Sequence, residues 1–167
     1  LSLFDIDSEM LRPYFELSKV KEGIFNLATE LYGIRFSINP DIPVYAGGVT
    51  AYDVVDKNKT LLGVLFLDLH PRKGKQGGAW MTTYSPQYIS EKKNHRPCVA
   101  IVTNFTPPTP QRPSLLTLGE VTTFLHEFGH ALHGLMANTV YRSLSGTNVL
   151  WDFVELPSQI MENFAVE

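Results

Sequence analysis

Residues 124–135, FLHEFGHALHGL, contain two histidines and a glutamate whose spacing suits metal-assisted hydrolysis. On a helix, His126 and His130 are one turn apart, which is about 40° around the axis and about 6 Å along it. Their imidazole nitrogens can therefore converge on one ion at the roughly 2.0 to 2.1 Å that zinc requires. Glu127 reaches the edge of such a site, where its carboxylate can accept a proton from a water molecule whose pKa the cation has lowered.

A helix that begins near Leu118 is expected to carry these residues. Thr117 and Glu120 match a capping box, in which the hydroxyl accepts from the Glu120 N–H and the carboxylate accepts from the Thr117 N–H. Apolar residues then recur at three- and four-residue steps, so one helix face can be buried while the histidines face a cavity. These apolar residues are Val121, Phe124, Leu125, Phe128, Leu132, Leu135 and Met136.

A site with two histidines needs a third protein ligand, and the sequence restricts its source. The metzincin pattern requires a glycine at position 133 and a histidine at position 136, where this chain has His133 and Met136, so that class is excluded. A ligand from a second helix, over residues 151–164, fits better. The predicted polar face of that helix carries Asp152, Glu155, Gln159 and Glu162, and its predicted apolar face carries Val154, Leu156, Ile160, Met161 and Phe164.

The carboxylates of the polar face suit a helix that packs beside a metal ion. Asp152 or Glu162 could orient a ligating imidazole through its free N–H. Pro157 lacks a backbone N–H and would clash with the carbonyl of Phe153, so the helix is expected to begin close to Asp152 or to be kinked.

The rest of the chain predicts an α+β fold with a small, largely antiparallel sheet flanked by helices. Helical spacing covers residues 7–31, with Gly23 as a candidate break and Gly33 as a stop. Strands are expected at residues 49–55, 61–69, 79–84 and 99–105, and residues 56–59 form a hairpin tip.

Gly77, Gly78 and Ala79 place three small residues next to each other. Strand positions without large side chains often mark the close approach of another backbone, so a peptide substrate could pair there. The alternative is a hairpin turn that contains the two glycines.

Several segments together resemble the thimet-oligopeptidase (M3) family of zinc metallopeptidases. HEFGHALHG is followed by SLSGTNV and DFVELPSQIMEN, and it is preceded by DIPVY, GKQGGAWMTTY and RPCVAIVTNFTPPTP, in the order that the family has. The branch that the chain resembles most is the bacterial peptidyl-dipeptidases, also called dipeptidyl carboxypeptidases.

The resemblance implies a zincin-like catalytic core in which His126, His130 and Glu155 bind one Zn²⁺ ion and Glu127 is the general base. It implies short peptides as substrates and the release of C-terminal dipeptides by the full-length protein. An endo-acting oligopeptidase of the same family, or a zinc-binding fragment without turnover, is the alternative. In related zinc peptidases the strand at the position of residues 77–79 hydrogen-bonds the substrate.

The family also implies a larger protein. Its members are several times longer than 167 residues, with a helical region before this part and another after it that supplies tyrosine and histidine groups. The chain has no initiator methionine. We therefore expect residues 1–167 to be a single unit, a fragment of a larger and mainly helical metallopeptidase catalytic domain.

Composition narrows the classes of partner and compartment. A net charge of −3 argues against nucleic acid as a partner. The sequence contains no run of eighteen or more apolar residues, so it predicts no membrane-spanning helix. The single cysteine, Cys98, cannot form an internal disulfide, which favours a reducing compartment. We expect a cytoplasmic location, with the periplasm as the alternative because the N-terminus is expected to be truncated.

Overall fold

The computed structural model describes residues 8–166 and shows a mixed α+β architecture, so the predicted fold class is confirmed at this level. Asp7, the first residue of the predicted N-terminal helical segment, lies outside this range. The helices are α1 (Ser8–Leu11), α2 (Leu17–Tyr32), α3 (Leu118–Leu135), α4 (Trp151–Val154) and α5 (Leu156–Asn163). The strands are β1 (Arg35–Ile38), β2 (Thr50–Val55), β3 (Leu61–Asp68), β4 (Trp80–Ser85), β5 (Tyr88–Ser90), β6 (Lys93–His95) and β7 (Cys98–Val102). Short 3₁₀ turns cover Arg12–Tyr14 and Arg142–Leu144.

Five strands form one sheet in the order β1-β2-β3-β7-β4. Every neighbouring pair is antiparallel except β3 and β7, which run parallel. The four predicted strands correspond to β2, β3, β4 and β7, with ends that differ by up to three residues. Strand β4 is at the sheet edge, and β5 and β6 form a separate two-stranded hairpin.

Helices α2 and α3 contribute to the main hydrophobic core together with β2, β3 and β7. Phe25 of α2 stacks on Phe36 of β1 at 4.1 Å between ring centroids, and both rings lie near Phe128 of α3. The predicted apolar face of α3 is buried except for Met136, which is exposed just beyond the helix end. The face of α3 opposite the histidines is thus fixed by packing.

The ends of the two long helices follow the sequence signals. Glu120 N–H donates to Thr117 Oγ1 at 3.1 Å, and Thr117 N–H donates to Glu120 Oε2 at 2.8 Å, so the predicted capping box is confirmed. Gly33 follows α2 with a φ of +68°, a left-handed conformation that glycine adopts readily. Gly23 does not break α2 and lies within it.

The helix predicted over residues 151–164 begins at Trp151, next to the expected start at Asp152, and it is interrupted close to Pro157, where a kink was the alternative. It consists of α4 and α5, and Glu155 lies between them. Because Pro157 cannot donate a backbone hydrogen bond, a continuous helix is interrupted at this point. The prediction that the apolar side chains form a buried face is wrong for Leu156, Ile160 and Phe164, which are exposed.

The reason lies in how α5 packs on α3. Its buried residues are Ser158 and Met161. The two helix backbones meet at Gly129, which leaves room for a close approach through small residues instead of an interface of long apolar side chains. In the described part of the chain, no helix has both the length and the apolar character needed to cross a membrane.

Candidate metal centre

His126 and His130 lie on successive turns of α3 and present adjacent imidazole rings. Their ring centroids are 4.8 Å apart, and the ring planes are inclined by 84°. Both side chains are mostly buried, with exposed fractions of 28% and 12%. Burial lowers the pKa of His130, which favours the neutral imidazole that can act as a metal ligand.

Glu155 completes the group from the junction of α4 and α5. Its Oε2 atom is 3.3 Å from His126 Nε2 and 3.1 Å from His130 Nε2. One potential ligand atom from each of the three residues lies within 4.8 Å of the others. The structure therefore brings together the three residues predicted as metal ligands.

These separations can be compared with what a tetrahedral ion requires. Ligand atoms about 2.0 to 2.2 Å from zinc at tetrahedral angles are roughly 3.3 to 3.5 Å from one another. The two distances from Glu155 Oε2, 3.3 and 3.1 Å, are close to that range. Two imidazoles and one carboxylate also form a donor set that zinc hydrolases use, with a fourth position open. The residues present fit a zinc ion.

Glu162 orients one of these imidazoles. Its Oε1 atom is 2.6 Å from His126 Nδ1, so that the ring can donate from Nδ1 and keep the Nε2 lone pair for the metal site. Of the two residues predicted for this contact, Glu162 makes it. Asp152 is exposed on α4, and within residues 8–166 no hydrogen bond or ion pair joins it to either histidine.

Ser158 contacts the carboxylate of the third candidate ligand and was not among the predicted site residues. Its Oγ atom is 2.6 Å from Glu155 Oε2 and 2.9 Å from the Glu155 carbonyl oxygen. The Ser158 hydrogen bond is the largest influence that lowers the pKa of Glu155. A serine three residues after the glutamate is the only signal for this contact in the sequence.

Glu127 is buried on α3 beside His126. Burial raises the pKa of its carboxyl group, while the charge of His126 and a hydrogen bond from the Met81 backbone act in the opposite direction. A carboxyl group with a raised pKa is suited to accept and return a proton near neutral pH. The contact with Met81 also places Glu127 next to edge strand β4.

Gly77, Gly78 and Ala79 lie in the loop before β4 and not within a strand. Asn104 Nδ2 donates to the carbonyl oxygens of Gln76 and Gly78 at 2.9 and 2.8 Å, which holds this loop. Gly78 has a φ of +96°, in the region that favours glycine. The strand predicted over residues 79–84 therefore begins one residue later, at Trp80, and the backbone turns at the two glycines, which is closer to the alternative of a turn. The role of these three residues in substrate binding stays a prediction.

The sequence of this chain is similar to those of known peptidases. Residues 1–167 match the model of Peptidase family M3, so the predicted resemblance is confirmed. Dipeptidyl carboxypeptidase of Escherichia coli is 44% identical over 163 residues, which are 97% of this chain and 24% of that protein. Oligopeptidase A of the same organism is 38% identical over 167 residues, 99% of this chain and 25% of that protein.

A eukaryotic relative gives a similar match. The thimet-like oligopeptidase of Dictyostelium discoideum is 40% identical over 163 residues, 95% of this chain and 24% of that protein. The chain thus spans about a quarter of the length of these curated relatives.

Proposed function

Because this chain belongs to peptidase family M3, we propose that it forms a single unit of the zincin-like catalytic core of a zinc-dependent peptidase. The observation that carries the proposal is the convergence of His126, His130 and Glu155, with Glu127 buried beside them. The family match supports a peptidase, and the donor geometry supports His126, His130 and Glu155 as its metal ligands.

In this proposal the three residues hold one zinc ion, and the contacts of the two histidines suit them to that role. Glu162 fixes the tautomer of His126 that leaves Nε2 free. Helix α3 holds His126 and His130 in a fixed relation, because its opposite face is buried in the core. Zinc bound there would polarise the carbonyl group of a peptide bond and lower the pKa of a water molecule at the site.

Glu127 is proposed to transfer the proton during peptide hydrolysis. Its carboxylate accepts a proton from the attacking water molecule, and its carboxyl group then returns that proton to the amine of the leaving product. The raised pKa that burial gives it suits both transfers. A general base of this kind contributes a factor of about 10² to 10⁴ in rate.

The peptide is proposed to lie along β4. This strand pairs only with β7 in the described sheet, so its second edge can receive an extended peptide backbone by strand addition. Met81 of β4 contacts Glu127, which places this edge next to the proposed general base. Gly77, Gly78 and Ala79 precede the strand and would border the same substrate.

The substrates are proposed to be short peptides from which C-terminal dipeptides are released. The 44% identity to a relative named dipeptidyl carboxypeptidase supports this form of cleavage. Endo-acting cleavage is the second candidate, since a relative named oligopeptidase A is 38% identical. Mass analysis of the products from one peptide with a free and with an amidated C-terminus separates them, because only dipeptide release is expected to require the free carboxylate.

Two substitutions test the catalytic proposal. Glu127→Gln is expected to abolish zinc-dependent cleavage of a fluorogenic peptide while about one zinc per chain stays bound. Glu155→Ala is expected to bind zinc more weakly and so to lower the zinc content per chain, and Glu30→Ala, on the exposed surface of α2, serves as its control. Metal content is measured by elemental analysis after dialysis.

The outcomes separate zinc binding from turnover. Cleavage that persists in Glu127→Gln would refute the role of that residue. Failure of the unaltered chain to bind zinc would refute the metal site. Zinc binding without any turnover by the unaltered chain would instead favour a zinc-binding fragment, which fits a chain that spans about a quarter of its relatives.

A further inference from the structure

Glu155 is the least constrained of the three proposed zinc ligands. Its side chain is 48% exposed, whereas those of His126 and His130 are 28% and 12% exposed. A glutamate side chain has three rotatable torsions, and fixing them costs conformational entropy. Even so, its Oε2 atom is 3.3 Å from His126 Nε2 and 3.1 Å from His130 Nε2. Some other contact must hold the carboxylate in this orientation.

Ser158 provides that contact. Its Oγ atom is 2.6 Å from Glu155 Oε2, the same oxygen that faces both histidines. A carboxylate oxygen has two lone pairs, so it can accept the serine hydroxyl on one side and face a metal ion on the other. The hydrogen bond therefore selects the oxygen that faces the histidines without occupying its position toward them.

Ser158 is itself held firmly. It is fully buried, with an exposed fraction of 0%. It lies where the backbones of α5 and α3 are in close contact, since a Cβ atom added to Gly129 would be only 2.6 Å from the Ser158 Cα. Gly129 is located between the two histidines in sequence. The serine is thus fixed against the same helix that carries the other two ligands.

We propose that Ser158, seated on Gly129, is a positioning residue that presents Glu155 to the metal. The proposal rests on the zinc site proposed above, and it assigns Ser158 no contact with the metal or with substrate. Its consequence is that the orientation of Glu155 is set before the metal binds. Loss of the hydroxyl then weakens metal binding even though every ligand remains.

The test compares Ser158→Ala with Ser114→Ala. Ser114 is a suitable control because it is also buried, at 6% exposure, and donates to a backbone carbonyl, that of Thr106, at 2.7 Å. Zinc affinity of the 167-residue chain is measured by competition with a chromogenic chelator. Ser158→Ala is expected to weaken zinc binding by about tenfold, at the lower end of the effect of outer contacts of metal ligands. Ser114→Ala is expected to leave the affinity within about twofold of the unaltered chain.

A second pair of variants distinguishes positioning from a general structural effect. In a Glu155→Ala background, Ser158→Ala is expected to change the remaining zinc affinity by less than about twofold, because it has no carboxylate left to orient. The visible absorption of bound Co²⁺ gives a spectroscopic measure of coordination. Ser158→Ala is expected to alter that spectrum, and Ser114→Ala is expected to leave it unchanged.

Three results would overturn the proposal. The first is an unchanged affinity and Co²⁺ spectrum in Ser158→Ala. The second is an equal loss of affinity with and without Glu155, which would indicate a structural effect. The third is failure of the unaltered chain to bind zinc at all, which contradicts the proposed function itself and is thereby distinguished from the first two.

Discussion

Replacing Gly129 with alanine tests the close approach of α5 to α3. An added Cβ would lie 2.4 Å from the Pro157 carbonyl oxygen and 2.6 Å from Ser158 Cα, whereas ordinary contacts begin at 3.4 Å. The clashing atoms belong to the backbone, so no side-chain rotation can relieve the overlap. Helix α5 therefore has to retreat by about 1.0 Å, the difference between 2.4 and 3.4 Å, or α3 has to distort, and overpacking of this kind costs about 1 to 3 kcal/mol.

Helix propensity acts in the opposite direction. Alanine is favoured over glycine within a helix by about 1 kcal/mol. Because the obstacle is backbone, we take the upper end of the overpacking cost, about 3 kcal/mol, and expect a net loss of about 2 kcal/mol in the free energy of unfolding of Gly129→Ala. A retreat of this size also moves Glu155 Oε2 to about 4 Å from the histidine nitrogens, beyond the roughly 3.3 to 3.5 Å expected around zinc, so zinc affinity should fall.

Gly119→Ala is the matched control because it makes the same change on α3. An added Cβ at Gly119 would meet only the Thr117 hydroxyl, at 3.8 Å, which is an ordinary contact. Urea unfolding of the metal-free variants, followed by circular dichroism, measures the free energy of unfolding of each variant. Gly119→Ala is expected to lose no stability. If Gly129→Ala proves as stable as Gly119→Ala, the close helix contact is not a constraint and the reasoning is refuted.

Three further predictions concern acid stability, a buried amide and the metal. Burial raises the pKa of Asp68, but hydrogen bonds from Arg72 and Lys75 outweigh it and leave that pKa below its usual value. The ionised Asp68 therefore adds stability that is fully present above the unfolded pKa of about 3.9 and is lost as pH falls through the lower folded value. In acid unfolding, the free energy of unfolding of Asp68→Asn should therefore fall less over this pH range than that of the unaltered chain. Gln87 is fully buried, accepts from the Thr139 N–H at 2.8 Å and donates to the Thr139 carbonyl at 3.0 Å. Gln87→Leu should lower the free energy of unfolding by about 1 to 3 kcal/mol in urea titrations, and an unchanged midpoint would contradict this. Free zinc at about 100 times its Kd should stabilise the chain by about 2.7 kcal/mol, measured as a chelator-reversible rise in Tm that a variant without a histidine ligand does not show.

The parts that could be predicted from the sequence are those set by local rules. The spacing of His126 and His130 fixes their relation on any helix, and the Thr117–Glu120 capping box fixes where that helix begins. Both follow from residues within one or two turns of each other. The strands β2, β3, β4 and β7 were likewise predictable, because apolar runs between turn residues mark them in the sequence.

The parts that could not be predicted depend on contacts between distant segments. Strand β1 has only four residues, two of them with apolar side chains, and its partner β2 determines its conformation. Pro157 indicated that a helix starts or is kinked nearby, but it did not locate Glu155 at the junction of two helices. The exposure of Leu156, Ile160 and Phe164 also follows from the way α5 approaches α3, which the spacing of apolar residues does not encode.

The candidate site combines these two kinds of determinant. Two of its three proposed ligands lie on one helix and keep their relation by local geometry. Glu155 belongs to a separate short element, and its position depends on the contact between Gly129 and Ser158. The distance between Glu155 and the histidines is therefore sensitive to substitutions at residues that carry no ligand atom. Under the proposed function, a sequence can therefore keep all three proposed ligands and Glu127 and still lose zinc binding if that contact is changed.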